Sequence, residues 1–297
     1  MDIHFLSKET AFIDAGVNLG LICSGEKAIL IDAGIEASVA KKVLKLINEK
    51  NLKLSGLILT HAHADHTGGA AYIKNSLNIP VISSFQEKPF IEHPHLEPFY
   101  LFGGATPLKT MENKFLQAPP CSVDICLEPG KQDLLGFAVD VIPLSGHTPG
   151  QIGIAYEGTL YLADALFAPE ILAKHGLPYF VNIEAALDTL DKLLQSAYDF
   201  YVPSHGSMVQ NPVKLILANK KFLEELLDMV LSHVEKPQTA TELLGKIFRE
   251  KNLTINNPGQ FYLMQASLQG LLSYLSNTGK INVVYCDNLL CWQRNQS

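Results

Sequence analysis

Apolar positions fall in short blocks separated by turn residues over residues 1–210, and in longer helical periods after that. Residues 19–24 and 27–32 are two apolar runs flanking Gly25-Glu26, the pattern of a β-hairpin. Residues 39–50 carry Val43, Leu44, Leu46 and Ile47 between lysines, which predicts an amphipathic helix. A short buried strand at 56–60, a helix at 67–76 and a strand at 80–83 follow, so strand and helix alternate as in an α/β layered protein. Residues 86–120, rich in Pro, Gly and aromatics, read as an irregular insert of the kind that forms a lid or an interface. Strands resume at 137–144, 152–156 and 159–163, then a helix at 183–195 and a strand at 200–202. After Asn211-Pro212 the spacing predicts helices at 213–234, 239–250 (N-capped by Thr239 or Thr241) and 261–276, then β-like pieces at 280–286 and 289–292. Helix, helix and hairpin outline a winged-helix-like module. The boundary is placed near 210, giving domains 1–210 and 211–297.

Composition narrows the function classes. Of 297 residues, 47% are hydrophobic and 18% charged, as in a globular protein. A net charge of -7 disfavours a strong nonspecific nucleic-acid binder. No stretch of about 18 apolar residues predicts a membrane span. The N-terminus lacks the charged and apolar regions of a secretory signal. Five cysteines, none in a CxxC pair, read as reduced core thiols of a cytoplasmic protein.

The chemistry concentrates in His61-Ala-His63-Ala-Asp65-His66-Thr67-Gly68-Gly69, directly after the strand at 56–60. Imidazole nitrogen and carboxylate oxygen are ligands of divalent transition metals. Packing three imidazoles and a carboxylate together as plain core would leave too many polar atoms without partners. Three further ligand types stand at strand ends beside small or turn residues: His147 in Ser145-Gly-His-Thr-Pro-Gly150, Asp164 after Leu160-Tyr-Leu-Ala163, and His205 in Pro203-Ser-His-Gly206.

With Asp32 in Leu30-Ile-Asp-Ala-Gly34, these motifs stand in the order and strand contexts of one family. Over about residues 1–210 the chain resembles the metallo-β-lactamase fold hydrolases. The resemblance implies an αββα sandwich with a two-metal site at its edge. It implies that His61, His63 and His147 bind one metal, that Asp65, His66 and His205 bind the other, and that Asp164 bridges them. Asp32 would orient ligands from behind, and Gly68 and Gly69 would let the backbone pass close to the site. Zinc is the default metal, with iron or manganese also suited to these ligands. The implied chemistry is hydrolysis by a hydroxide held between the metals, with Asp65 and Asp164 as catalytic carboxylates.

True β-lactamases of the family mostly carry Cys where Asp164 stands, and they are exported. The intact pattern looks instead like glyoxalase II (hydroxyacylglutathione hydrolase) and its relatives, or like tRNase Z. The expected substrate is an ester or thioester of a small metabolite. The alternatives are a phosphodiesterase or RNA endonuclease using the same centre, and a non-catalytic metal-stabilised module. The helix at 261–276 has no Lys or Arg, with Gln265 and Gln269 among its few polar groups. That favours packing or a substrate-pocket role over reading nucleic acid. His175 and Tyr179 are candidate pocket residues, and His93 and His95 belong to the insert. Self-association is left open.

Overall fold

The computed structural model describes residues 1–295, so residues 296 and 297 at the end of the C-terminal segment lie outside the described residues. The first sheet opens with β1 (Ile3–Phe5), β2 (Thr10–Asp14), β3 (Asn18–Ser24) and β4 (Lys27–Ile31), each antiparallel to the one before. Helix α1 (Ala37–Glu49) leads to β5 (Lys53–Ile58). The short α2 (Ala64–Thr67) and α3 (Ala70–Leu77) lead to β6 (Val81–Ser84). Helices α4 (Lys88–Glu92) and α5 (Leu96–Leu101) lie in the insert, and β7 (Ile125–Leu127) closes the sheet. β4 to β7 run parallel, and the seven strands lie in chain order.

The second sheet is an antiparallel run of β8 (Gly130–Leu134), β9 (Phe137–Pro143), β10 (Ile152–Tyr156) and β11 (Thr159–Phe167). After α6 (Pro169–His175) and α7 (Ile183–Leu194), β12 (Phe200–His205) adds parallel to β11. The C-terminal segment is α8 (Val213–His233), α9 (Ala240–Glu250), α10 (Pro258–Asn277) and a hairpin of β13 (Ile281–Cys286) and β14 (Leu289–Arg294). Thr239 caps α9 in a capping box with Glu242.

Strand residues alternate between two cores, which explains the near-continuous apolar runs in the sequence. Along β4, Ala28 and Leu30 pack outward under α1 and α3, while Ile29 and Ile31 face the second sheet. Phe137, Val139, Val141, Ile152 and Ile154 meet them from the other side. Leu160 and Leu162 of β11 turn the opposite way, into a core shared with α7, α8, α9 and α10. Helix, sheet, sheet, helix is therefore the layer order, a mixed α/β fold. The C-terminal helices join the outer core of the second sheet instead of standing apart from it. Asn219 of α8 pairs with both backbone groups of Phe167, at 3.0 and 2.8 Å.

Several elements depart from the sequence expectation. β1, β2, β7, β8 and α4 to α6 have no counterpart in the apolar pattern. The insert at 86–120 is partly helical, but its helices are five and six residues long and contain Pro89 and Pro98, too short to show a period. β11 runs on past 163 through a register shift, so Asp164 sits inside the strand and not at its end. The break is at Ala163, whose φ of 49° is a left-handed conformation rare for Ala.

Candidate metal centre

The C-terminal ends of β4 and β5 in one sheet, and the far parts of β11 and β12 in the other, meet at one edge of the sandwich. Asp32 follows β4, and His61 and His63 follow β5. Asp65 and His66 lie on α2, His147 in the loop after β9, and His205 is the last residue of β12. The seven expected ligands converge there, in overlapping groups whose ligand atoms lie within 4.8 Å of one another: His61, His63 and His147; His61, His66 and Asp164; Asp65, His66 and His205.

Hydrogen bonds behind the imidazoles fix which nitrogen faces inward. Thr60 donates its hydroxyl to Asp32, so Thr60 Oγ1 accepts from His61 Nδ1–H at 3.1 Å. His147 Nδ1–H donates to the Tyr179 carbonyl at 2.7 Å. His66 Nδ1–H donates to Asp32 Oδ2 at 2.7 Å. The bare Nε2 atoms of His61 and His147 then lie 3.1 and 2.8 Å from His63 Nδ1. His66 Nε2 and Asp164 Oδ1 are buried without hydrogen-bond partners among the described residues, 3.4 Å apart. Lone pairs brought this close, and buried acceptors left unpaired, fit a cation at their centre.

The charges split the cluster into two halves. Burial, reinforced by His66 and His63, pushes His61 well below its ordinary 6.5. Burial and His147 bring His63 down to about 3. Burial also lowers His147, against the pull of Asp164. On the other side, the Asp164 carboxylate raises His205 to about 10. Burial works against ionisation of Asp65, but His66 and His205 outweigh it and lower the carboxyl to about 2. One half presents neutral imidazoles, and the other is held by ion pairs whose protons a divalent cation would displace.

Two glycines are dictated by the site. A Cβ on Gly68 would lie 2.0 Å from the Ile35 carbonyl oxygen, and one on Gly69 would lie 2.3 Å from that of Ala33. Both let α2 press against the loop after Asp32.

A cavity of about 740 Å³ opens on His63 and His147. Tyr179 lines it and bonds Tyr100 through the two hydroxyls at 3.1 Å. Gln265 and Gln269 of α10 line the opposite wall. His175 is not among the lining residues; it is exposed at the end of α6. His93 and His95 line a different cavity, with Glu36 and Lys114.

The sequence reading missed two carboxylates and two amides. Glu87, 2% exposed, accepts from the Ala62 and Gly150 backbone N–H groups and the Thr148 hydroxyl, at 2.9, 2.9 and 2.7 Å. It ties the His61–His63 loop to the His147 loop. Glu97, 6% exposed, lines the cavity with its Oε1 3.8 Å from His63 Nε2, beyond hydrogen-bond length. Asn18 donates to the Pro203 and Gly206 carbonyls on either side of His205. Gln151 accepts from the Asp164 N–H at 3.3 Å. Only Glu87, just after the apolar strand that ends at Ser84, had a sequence cue.

Two facing sheets with helices outside, and a His/Asp cluster at their shared edge, are the architecture of an αββα metallohydrolase. The chain belongs to the metallo-beta-lactamase superfamily, whose sequence profile matches residues 13–205, more than half of its length. It is similar to the hydroxyacylglutathione hydrolase GloC of Haemophilus influenzae, 31% identical over 153 residues that span 50% of this chain and 66% of that protein. It is also similar to an atrochrysone carboxyl ACP thioesterase of Passalora fulva, 21% identical over 278 residues, 91% of this chain and 73% of that protein. A metallo-beta-lactamase family protein from Thermus thermophilus shares the fold with a TM-score of 0.73 at 19% identity, over 99% of this chain and 97% of that one. No helix among the described residues is long and apolar enough to cross a membrane.

Proposed function

We propose that the chain is a dinuclear metal hydrolase acting on an ester or thioester of a small molecule. His61, His63 and His147 would hold one metal, Asp65, His66 and His205 the other, with Asp164 between them. Bound there, divalent metals, zinc first among them, supply Lewis acidity and an activated water. The observation that carries the reading is the convergence of seven donor atoms, with outer hydrogen bonds that already turn the Nε2 atoms of His61, His66 and His147 inward.

The chain's own groups have separate tasks. Asp32 holds His66 in one tautomer, and the Tyr179 carbonyl does the same for His147. Asp65, the most exposed of the carboxylates in the cluster, is placed to orient the attacking water or take its proton. The cavity beside His63 and His147 receives the substrate. Thioester chemistry is favoured over phosphodiester chemistry because the two relatives are named for acylglutathione hydrolysis and for thioesterase activity.

The test compares zinc-loaded protein on S-lactoylglutathione, on octanoyl-N-acetylcysteamine and on bis(p-nitrophenyl) phosphate, with Asp164→Ala as control. Hydrolysis of either thioester that exceeds the phosphodiester, and that Asp164→Ala abolishes, supports the reading. A dominant, Asp164-dependent phosphodiesterase activity would overturn it.

A further inference from the structure

The cavity beside the candidate metal centre has one wall that includes His63 and His147 and another made by α4 and α5 of the insert, the loop before α7 and α10. Its volume of about 740 Å³ suits enclosure of a drug-sized group. Phe90, Leu101, Phe102, Val181 and Tyr262 supply most of the second wall. Among the described residues, no Lys or Arg lines the cavity. None of the insert's three lysines lines the cavity: Lys88 donates to the Val123 carbonyl at 3.0 Å, Lys114 pairs with Glu36 at 2.7 Å, and Lys109 is exposed to solvent. Glu97, buried and with no hydrogen bond to its side chain among the described residues, lies in the wall beside His63.

Glutathione carries two carboxylates, and a polynucleotide carries one phosphate per residue. Away from the metal centre the cavity offers neither an Arg nor a Lys, so enclosing either carrier there would strand charge without partners. Proteins that recognise such anions place Arg, Lys or clustered N–H donors against them.

We propose that this cavity selects an uncharged, largely apolar acyl group on an uncharged carrier, and discriminates against anionic carriers such as glutathione or nucleic acid. The selecting surface is α10 together with the insert. Gln265 and Gln269, one helical turn apart, and the Tyr100–Tyr179 hydroxyl pair supply neutral hydrogen bonds to the few polar atoms such a substrate would have. The inference rests on the hydrolase reading only for which bond is cut. Water adds to the acyl carbon, the carbon–sulfur bond breaks, and a carboxylate, a thiol and one proton leave.

The experiment holds one half of the substrate constant while varying the other. Zinc-loaded protein is given octanoyl-N-acetylcysteamine, acetyl-N-acetylcysteamine and S-octanoylglutathione. Octanoyl should exceed acetyl by about 30-fold or more in kcat/KM, since each buried methylene contributes up to about fourfold. The neutral carrier should exceed glutathione by about tenfold or more. Gln269 is exposed at the cavity mouth, so Gln269→Arg can be accommodated. It should narrow the preference against S-octanoylglutathione by about tenfold, by supplying a charge-assisted bond.

The same three thioesters are also run as competitors of bound N-phenyl-1-naphthylamine, an uncharged fluorophore, so that occupancy is read without turnover. If none is hydrolysed, the hydrolase reading falls, and the order of displacement still decides the cavity claim. Displacement by the neutral octanoyl thioester ahead of the other two sustains it. Equal or better performance of S-octanoylglutathione, or of the acetyl thioester, in displacement overturns it.

Discussion

The two walls of the cavity are built on opposite principles. The metal wall comes from strand ends and is polar, buried and cross-tied: each inward nitrogen of His61, His66 and His147 is set by a bond on the far side of its ring. The α10 and insert wall is apolar and aromatic, with small residues and amides, and few hydrogen bonds fix it. Rigid cross-tying is what chemistry on a metal requires. A loosely tied apolar surface is what can vary the substrate while the chemistry stays the same. The metal wall should therefore govern whether the protein turns over at all, and the other wall what it turns over.

The largest break comes from the metal wall. Asp164→Ala should lower kcat on the order of a thousandfold for every substrate, with the order of preference among residual rates unchanged. A change of preference instead of rate would erase the distinction between the walls.

Glu87→Ala should come next. It leaves the Ala62 and Gly150 N–H groups and the Thr148 hydroxyl without their buried acceptor and frees the two histidine loops from each other. Metal affinity should fall roughly 10- to 100-fold, as for other groups that hold ligands in place. Metal content measured alongside Tm tests this. Unchanged affinity with a lowered Tm would make Glu87 structural only.

Gly270→Ala sharpens the comparison, because Gly270 is where the walls touch. Its added Cβ would lie 2.9 and 3.1 Å from the Phe180 and Val181 carbonyl oxygens, on the loop whose Tyr179 carbonyl orients His147. Helix propensity gains about 1 kcal/mol from the change, and overpacking costs about 1–3 kcal/mol. The net result should be a lower Tm and a severalfold higher KM for octanoyl-N-acetylcysteamine, with metal content intact. A higher Tm would show that α10 has room to shift.

The contrast between the walls also marks what was legible in the sequence. The metal wall announces itself because His61, His63, Asp65 and His66 sit within six residues, and His147 and His205 follow apolar strand runs beside Gly and Pro. Asp164 was found although its strand was cut short at 163, because the apolar run ends there even as β11 continues. Glu87 follows an apolar strand, but that cue does not reveal its role, because its partners lie 25 to 63 residues away. Glu97 was missed because the surrounding helices are too short for a period. The α10 helix could be read as pocket or packing from its lack of Lys and Arg, and it does both: Leu268, Leu271 and Leu272 enter the core while Gln265 and Gln269 line the cavity. His175 does not line the cavity on the His63 side, but it stands close enough to Asp164 and His205 for both to act on its ring.

The most direct test titrates zinc into chelator-stripped protein while bound metal and hydrolysis of octanoyl-N-acetylcysteamine are followed together. The account predicts that two equivalents bind per chain, that turnover appears with loading, and that Asp164→Ala binds fewer and stays inactive. A wild-type protein that binds a single equivalent, or a folded Asp164→Ala variant with full turnover, would contradict it.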